Sequence, residues 1–171
     1  MDAFPVQPGL AVSHAHALRF FFEHLRDVTE DREVPEAELL YNASVLAHFA
    51  TTSAASRDFP NAPVSLTAVF DVFVLDRSQH VDPQIMEAAA AQCLLLTGFF
   101  CGQQRQRHNV EWYATLGASF YGRAAAQGSD AARVAMMRTM AARFAYWRRR
   151  QARLARELRE SSLLLQPRPA A

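Results

Sequence analysis

An apolar segment that begins at Asp82 constrains the fold of this chain more than any other feature of its sequence. Asp82 followed by Pro83 is a typical helix start, because aspartate caps free backbone N–H groups and proline fits the first helical turn. The segment is then nearly all apolar as far as Phe100. A helix that is apolar on every side is a buried one. The sequence therefore predicts a central helix at about residues 82–100, which Gly102 can terminate.

Apolar side chains that recur every three to four residues predict four further helices. The predicted ranges are 13–28 after the cap Ser13, 36–52 after Pro35, 109–127 after the cap Asn109, and 130–159 after Ser129 or Asp130. We expect helices 36–52 and 109–127 to pack on the central helix and the long helix 130–159 to lie across the outside. Gly117 and Gly122 would permit close approach of a neighbouring helix.

The remaining segments complete a prediction of one all-α domain over residues 1–171. Residues 65–75 favour a strand by propensity, but a lone strand has no pairing partner in this chain, so a short buried helix is expected there. Residues 1–12 are expected to form an extended arm and residues 160–171 a flexible tail. A chain of 171 residues is within the range of about 100–200 residues typical of one domain. The predicted architecture is a bundle of five or six helices.

Arginine is the only basic residue besides histidine, since lysine is absent. We interpret this as the coding bias of a GC-rich bacterium, with selection for bidentate anion contacts as the alternative. Residues 1–100 carry five arginines against thirteen acidic residues, and residues 101–171 carry thirteen arginines against four. Such asymmetry indicates either an anionic partner or two halves that pack against each other. We favour the second interpretation.

The sequence predicts a soluble, cytoplasmic protein without a membrane span. No basic region followed by an apolar core opens the chain, and the most apolar window is short for a bilayer of about 30 Å. Cys93 and Cys101 lack the spacing of redox or zinc sites, and two thiols in a chain without a signal are expected to be reduced. A buried structural role is expected for them.

No motif in the sequence points to catalysis, a cofactor or a metal. His14 and His16 are two residues apart and therefore on different helix faces, and no Glu-x-x-His or His-Glu-x-x-His motif occurs. Nucleophile elbows, phosphate-cradling loops and dinucleotide fingerprints are also missing. We predict no catalytic residue, no metal ligand and no cofactor, and the balance is against an enzyme.

Aromatic residues after position 107 form one candidate ligand pocket. Its residues are His108, Trp112, Tyr113 and Tyr121. Buried tyrosine hydroxyls need hydrogen-bond partners, which makes Tyr113 and Tyr121 the best candidates for a polar pocket. The alternative is that this aromatic stripe belongs to the core.

Two groups of arginines are candidate anion sites. The first, Arg105 and Arg107, precedes a helix N-terminus, where backbone N–H groups attract anions. The second lies on the C-terminal helix and comprises Arg148, Arg149, Arg150 and Arg153, with Arg156 and Arg159 further along the same helix. The second group can contact nucleic-acid phosphates or an anionic membrane surface, or dock on the acidic half of the chain or of a second copy. A solvated surface is the alternative for both groups.

Three motifs resemble those of a family of small, uncharacterised bacterial proteins. They are a helix with Tyr and Leu-x-x-Phe, leucines running into Gly-Phe-Phe, and a Tyr-Tyr-x-x-x-Gly-x-x-x-Tyr helix. The matching residues are Tyr41, Leu46 and Phe49; Leu94, Leu95, Gly98, Phe99 and Phe100; and Tyr113, Gly117 and Tyr121. The chain departs from the pattern at Trp112, which replaces the first tyrosine, and at Cys101, which replaces a proline. The resemblance implies an all-helical fold and no particular activity.

These observations leave three hypotheses for function. The first is a non-catalytic interaction protein that forms a homodimer or binds another protein through Leu154, Leu158 and residues 163–165 of its C-terminal helix. The second is a ligand-binding or enzymatic bundle with a pocket near Tyr113 and Tyr121. The third, possible but not favoured, is an anion or nucleic-acid binder that uses the C-terminal arginines.

Overall fold

The computed structural model describes residues 13–29, 34–55, 80–105 and 109–164, and within them the chain forms seven α-helices and no strand. The helices are α1 (His14–Val28), α2 (Glu36–Ala55), α3 (Pro83–Thr97), α4 (Cys101–Gln104), α5 (Val110–Gln127), α6 (Ala131–Ala142) and α7 (Phe144–Leu164). The all-α prediction is therefore confirmed. The arm at 1–12 and the helix predicted at 65–75 lie outside the described residues.

Four helices begin at the predicted caps. The side chains of Ser13, Asp82, Asn109 and Asp130 each accept a hydrogen bond from a backbone N–H in the first turn of the helix that follows. Each of these bonds satisfies a donor that would otherwise have no partner inside the helix. The starts of α1, α3, α5 and α6 are therefore local properties of the sequence.

The helix α3 lies at the centre, as predicted, with Met86, Ala90 and Leu94 all fully buried. It packs chiefly against α5, whereas α2 packs chiefly against α1 and reaches α3 through long side chains. The helix ends earlier than predicted, at Thr97 rather than near Phe100. Gly98 is the cap residue at this end, and a Cβ on it would lie 2.7 Å from the carbonyl oxygen of Leu94 and 3.1 Å from that of Arg148 in α7. The helix therefore ends at a glycine where α7 passes close by.

Of the two glycines inside α5, only Gly117 allows a close approach. A Cβ at Gly117 would lie 2.6 Å from Cζ of Phe144 and 2.7 Å from Cβ of Cys93, so α3 and α7 both press against this position. A Cβ at Gly122 would meet no atom within 4 Å. The prediction of a close approach is thus confirmed for Gly117 and wrong for Gly122, which faces open space.

The long C-terminal helix predicted over residues 130–159 is two helices separated at Arg143. The helix α6 packs along α5, whereas α7 packs on α1, α3 and α5. Trp147 and Leu154 on α7 are 0% and 1% exposed, so the prediction that this part of the chain lies across the outside is wrong. Its alternation of arginine with apolar residues is the pattern of a helix with one buried and one exposed face.

A buried polar group ties α2 to the break between α6 and α7. One carboxylate oxygen of Glu38 accepts a hydrogen bond from Nε1 of Trp147 at 2.8 Å and lies 3.0 Å from Nε of Arg143. Next to it, Gln151 donates to Asn42 at 3.2 Å. Since a buried carboxylate is stabilised only by such partners, Glu38 selects the arrangement in which α7 turns inward at Arg143.

Candidate functional site: an arginine corner beside Trp112

The candidate site lies where α7 passes the short helix α4 and the start of α5. Its best-defined contact is between Arg148 on α7 and Glu111 on the first turn of α5. One terminal guanidinium nitrogen of Arg148 donates to a carboxylate oxygen at 3.1 Å, and the other donates to the second oxygen. The Arg148 side chain is 15% exposed and that of Glu111 is 79% exposed. This two-point contact fixes the guanidinium at the edge of the protein surface.

A second arginine acts on the same carboxylate. The pKa of Glu111 is lowered, first by the hydrogen bonds and charge of Arg148 and then by the positive charge of Arg105. Arg105 is exposed and follows directly after α4. Because the pKa is lowered, the contact of Glu111 with Arg148 persists below the usual carboxyl range and is lost only as the pH falls through the lowered value. The positive charges of Arg148 and Arg105 therefore both favour the ionised form of Glu111.

Arg159 brings a third positive charge to this side of the molecule. A Cβ on Gly102 would lie 3.7 Å from a terminal nitrogen of Arg159, so this side chain extends over α4 one turn before Arg105. We call Arg105, Arg148 and Arg159 the arginine corner. Arg148 pairs with Glu111, and Arg105 and Arg159 add two positive charges at α4, so the corner is positively charged at any physiological pH.

Trp112 lies on the first turn of α5, directly after Glu111 in the chain. Its backbone N–H donates to the cap Asn109 at 3.1 Å, and its ring meets the ring of Tyr113 edge-on with centroids 4.8 Å apart. The residue is 43% exposed. A large aromatic side chain is thus held at the surface at the start of α5.

The other predicted anion-binding arginines have separate surroundings. Arg149 is exposed on the outer face of α7. Arg150 donates to the carbonyl of Val28 at 3.3 Å and covers the ring of Tyr146, and Arg153 contacts Glu157 at 2.9 Å. Arg107 lies outside the described residues. The C-terminal arginines therefore include internal ties as well as surface charges, and they do not form one uniform face.

The predicted pocket residues are found in different surroundings. Tyr113 and Tyr121 are buried in the main hydrophobic cluster, whereas Trp112 is at the surface. His108 lies outside the described residues. The hydroxyl of Tyr121 is 3.2 Å from the hydroxyl of Tyr41 on α2, so its polar partner is in the core.

That contact belongs to a polar chain that the sequence did not predict. Tyr41 lies 3.0 Å from one oxygen of Glu87, and Nε of Arg133 donates to the other oxygen at 2.8 Å. Since a phenol has one proton and a carboxylate is the stronger acceptor, Tyr41 donates to Glu87 and accepts from Tyr121. In the sequence, the feature that indicated such a chain was Glu87, a charged residue in the most apolar helix.

The polar chain ties helices together rather than forming a reactive site. Burial raises the pKa of both tyrosines well above the ordinary value, so both phenols stay protonated. Glu87 and Arg133 line a cleft of about 150 Å³ between the start of α3 and the turn from α5 to α6. Pockets for small molecules are typically about 300–1,000 Å³, so this cleft is small for such a ligand.

The described residues hold no group of metal ligands, and their two cysteines are free. Nowhere in 13–29, 34–55, 80–105 and 109–164 do three or more His, Cys, Asp or Glu side chains meet as metal ligands would. Cys93 is fully buried, as predicted, and burial raises the pKa of its thiol to about 12. Cys101 is half-buried. Among the described helices, none is both long enough and apolar enough to cross a membrane.

Comparison of the chain with protein-family models, curated proteins and solved structures finds no match.

Proposed function

We propose that the protein is a non-catalytic binding protein that recognises an anionic partner through the arginine corner. One observation carries the proposal: Arg148 on α7 holds the exposed carboxylate of Glu111 at the start of α5, while Arg159 on the same helix extends over α4, which Arg105 follows. A surface that served only for solubility would not need to gather like charges from two helices. Gathered guanidinium groups are suited to carboxylate or phosphate ligands, which they contact at two points.

An anionic partner accounts for the surface better than a second copy of the chain. The self-association hypothesis depended on leucines of the C-terminal helix that a monomer would expose. Leu154 is 1% exposed, and Leu158 packs against the core. Those two leucines are therefore covered within the monomer, and residues 163–165 are the part of the hypothesis that stays a prediction.

Two ion pairs between residues 1–100 and residues 101–171 reduce the positive charge that is available to bind a partner. Arg133 contacts Glu87 at 2.7 Å and Arg143 lies 3.0 Å from Glu38, so part of the positive second half is neutralised by the negative first half. The expectation that the halves pack against each other is consistent with these two pairs. The arginines of the arginine corner take no part in these two ion pairs. We also propose a bacterial origin and a cytoplasmic location, which the arginine-only composition and the free cysteines fit.

The experiment is a binding titration with a fluorescently labelled inorganic polyphosphate at several salt concentrations. Binding should weaken as salt rises, because each arginine–phosphate contact releases condensed counterions. Replacing Arg105 and Arg159 together with glutamine should weaken binding and reduce the salt dependence. The matched control is Arg138→Gln, since Arg138 is exposed on α6 away from the corner. Absence of binding at low salt, or equal weakening by the control, would refute the proposal.

A further inference from the structure

We infer that the anionic partner is an acidic amphipathic helix of another protein, which lays its apolar side chains on a row of phenylalanine rings next to α4. The inference rests on the proposed function and names the class of partner. It depends on an observation that does not involve the arginines. Five rings are in contact one after another, and we call them the phenylalanine row: Phe20, Phe21, Phe99, Phe100 and Phe49, in that order.

The phenylalanine row joins α1, the turn between α3 and α4, and α2. Its four successive centroid distances are 5.3, 6.4, 5.0 and 5.1 Å. Every one of these contacts is edge-to-face, an arrangement that aromatic pairs prefer. The rings therefore support one another across segments that are distant in the sequence.

All five residues of the row are partly exposed to solvent. Phe20 is 41% exposed, and the other four are half-buried at the edge of the main hydrophobic cluster. A ring that only fills the core is covered as Phe120 is, which is 1% exposed. Contiguous apolar surface on a protein that is not in a membrane marks sites of interaction with other molecules. The phenylalanine row is therefore a docking surface.

The spacing of the rings suits an α-helix as the docked element. An α-helix rises about 5.4 Å per turn, which is close to the distance from one ring of the row to the next. Apolar side chains three or four positions apart on one side of a partner helix can therefore contact successive rings. Amphipathic helices bind hydrophobic surfaces of other proteins through side chains with this spacing.

The charges beside the row favour a helix that carries carboxylates. Phe100 is the N-cap residue of α4, and Arg105 is the residue at the other end of this single helical turn. A terminal nitrogen of Arg159 lies over Gly102 in the same turn, 3.7 Å from the place that a Cβ would occupy. Two guanidinium-bearing residues thus adjoin the row at α4. Acidic side chains one turn beyond the apolar ones can pair with them.

A synthetic peptide is the probe for this surface. It has about 18 residues, since isolated helices shorter than about 12–15 residues are marginal in water. Leucine occupies every third or fourth position, and glutamate and glutamine fill the others, so that one side is apolar and the other acidic. The comparison ligands are a scrambled peptide of the same composition, a peptide with lysine in place of glutamate, and inorganic polyphosphate. Fluorescence anisotropy of the labelled ligands measures binding at low salt.

We expect the acidic amphipathic peptide to bind more tightly than either comparison peptide. Phe20→Ala should weaken its binding about tenfold, an effect usual for an aromatic anchor, and should leave polyphosphate binding unchanged. The matched control is Leu40→Ala, because Leu40 is 46% exposed on α2 and is not part of the row. This control should bind the peptide as the wild type does. Replacing Arg105 and Arg159 together with glutamine should weaken binding of both the peptide and polyphosphate. Unchanged thermal transitions of the variants verify that the fold is retained.

The other outcomes separate the inference from the proposed function. Equal binding of the acidic peptide and its scrambled form, or no effect of Phe20→Ala, would overturn the inference and leave the anion-binding function in place. A wild-type dimer that Phe20→Ala dissociates in analytical ultracentrifugation would also overturn it, because a second copy would then occupy the row. Failure of the acidic peptide and of polyphosphate to bind at low salt would refute both.

Discussion

Replacing Gly117 with alanine should destabilise the protein, although alanine is the better helix former. A Cβ at this position would lie 2.6 Å from the ring of Phe144 and 2.7 Å from Cβ of Cys93. Both distances are well below the about 3.5–4.0 Å at which carbon atoms attract each other. The Cβ of Cys93 is fixed to the backbone of the central helix α3, so the contact can be relieved only by moving α3 or α5.

The magnitude follows from two opposing effects. Overpacking a core costs about 1–3 kcal/mol, and occasionally more. Exchange of glycine for alanine inside a helix contributes about 0.5–1 kcal/mol of stability. Since two separate atoms obstruct the new methyl group, we expect the upper part of the overpacking range and a net loss of about 2 kcal/mol.

Gly122 is the matched control because it lies in the same helix, five positions further on, and a Cβ there would meet nothing within 4 Å. Gly122→Ala should therefore stabilise the protein by about 0.5–1 kcal/mol. Urea unfolding followed by circular dichroism measures both variants. A free energy of unfolding that rises equally in the two variants would refute the close approach of α3, α5 and α7 at Gly117.

Two further predictions concern buried polar and thiol groups. Tyr41→Phe should lower the free energy of unfolding by about 1–3 kcal/mol, because its hydroxyl contacts both Glu87 and Tyr121. Tyr121→Phe removes one of these contacts and should cost only about 1 kcal/mol. Equal losses in urea unfolding would contradict the position of Tyr41 between Glu87 and Tyr121. Because burial raises the pKa of the Cys93 thiol to about 12, that thiol should stay protonated and resist Ellman's reagent at pH 8 until the protein unfolds, while the half-buried Cys101 reacts first. Rapid reaction of both thiols in the native protein would contradict the burial.

Local chemistry made the starts of the helices predictable. Asp82, Asn109 and Asp130 each cap the helix that follows with their own side chains, so the signal and the structure it produces lie within three residues. The all-helical class followed from the same kind of local pattern. These features depend on no distant part of the chain.

The ends and breaks of helices depended on distant contacts and were therefore missed. The helix α3 ends at Thr97 with Gly98 as its cap residue, at a point where α7 passes close by, and nothing near Gly98 in the sequence reveals Arg148 as its neighbour. The break at Arg143 lies beside the carboxylate of Glu38, more than one hundred positions away. A periodic pattern continues through this break, so it gave no warning.

The candidate site was predictable in its components and not in its assembly. Arg105 and Arg148 were both singled out from the sequence, but as members of two separate anion sites. The contact of Arg148 with Glu111 follows from the path of α7 past α5, which the sequence pattern does not encode. Arg159 was noted with the other C-terminal arginines, and only the structure shows its position over Gly102.

The central claim, that an anionic ligand binds where α4, α5 and α7 meet, is tested most directly by nuclear magnetic resonance. In a titration of isotopically labelled protein with inorganic polyphosphate, the guanidinium Nε–H signals of Arg105, Arg148 and Arg159 should shift together and saturate at one concentration. The indole signal of Trp147 and the Nε–H signal of Arg133 should remain still. Shifts centred on Arg133 and its cleft, while the signals of the arginine corner stay in place, would contradict the account.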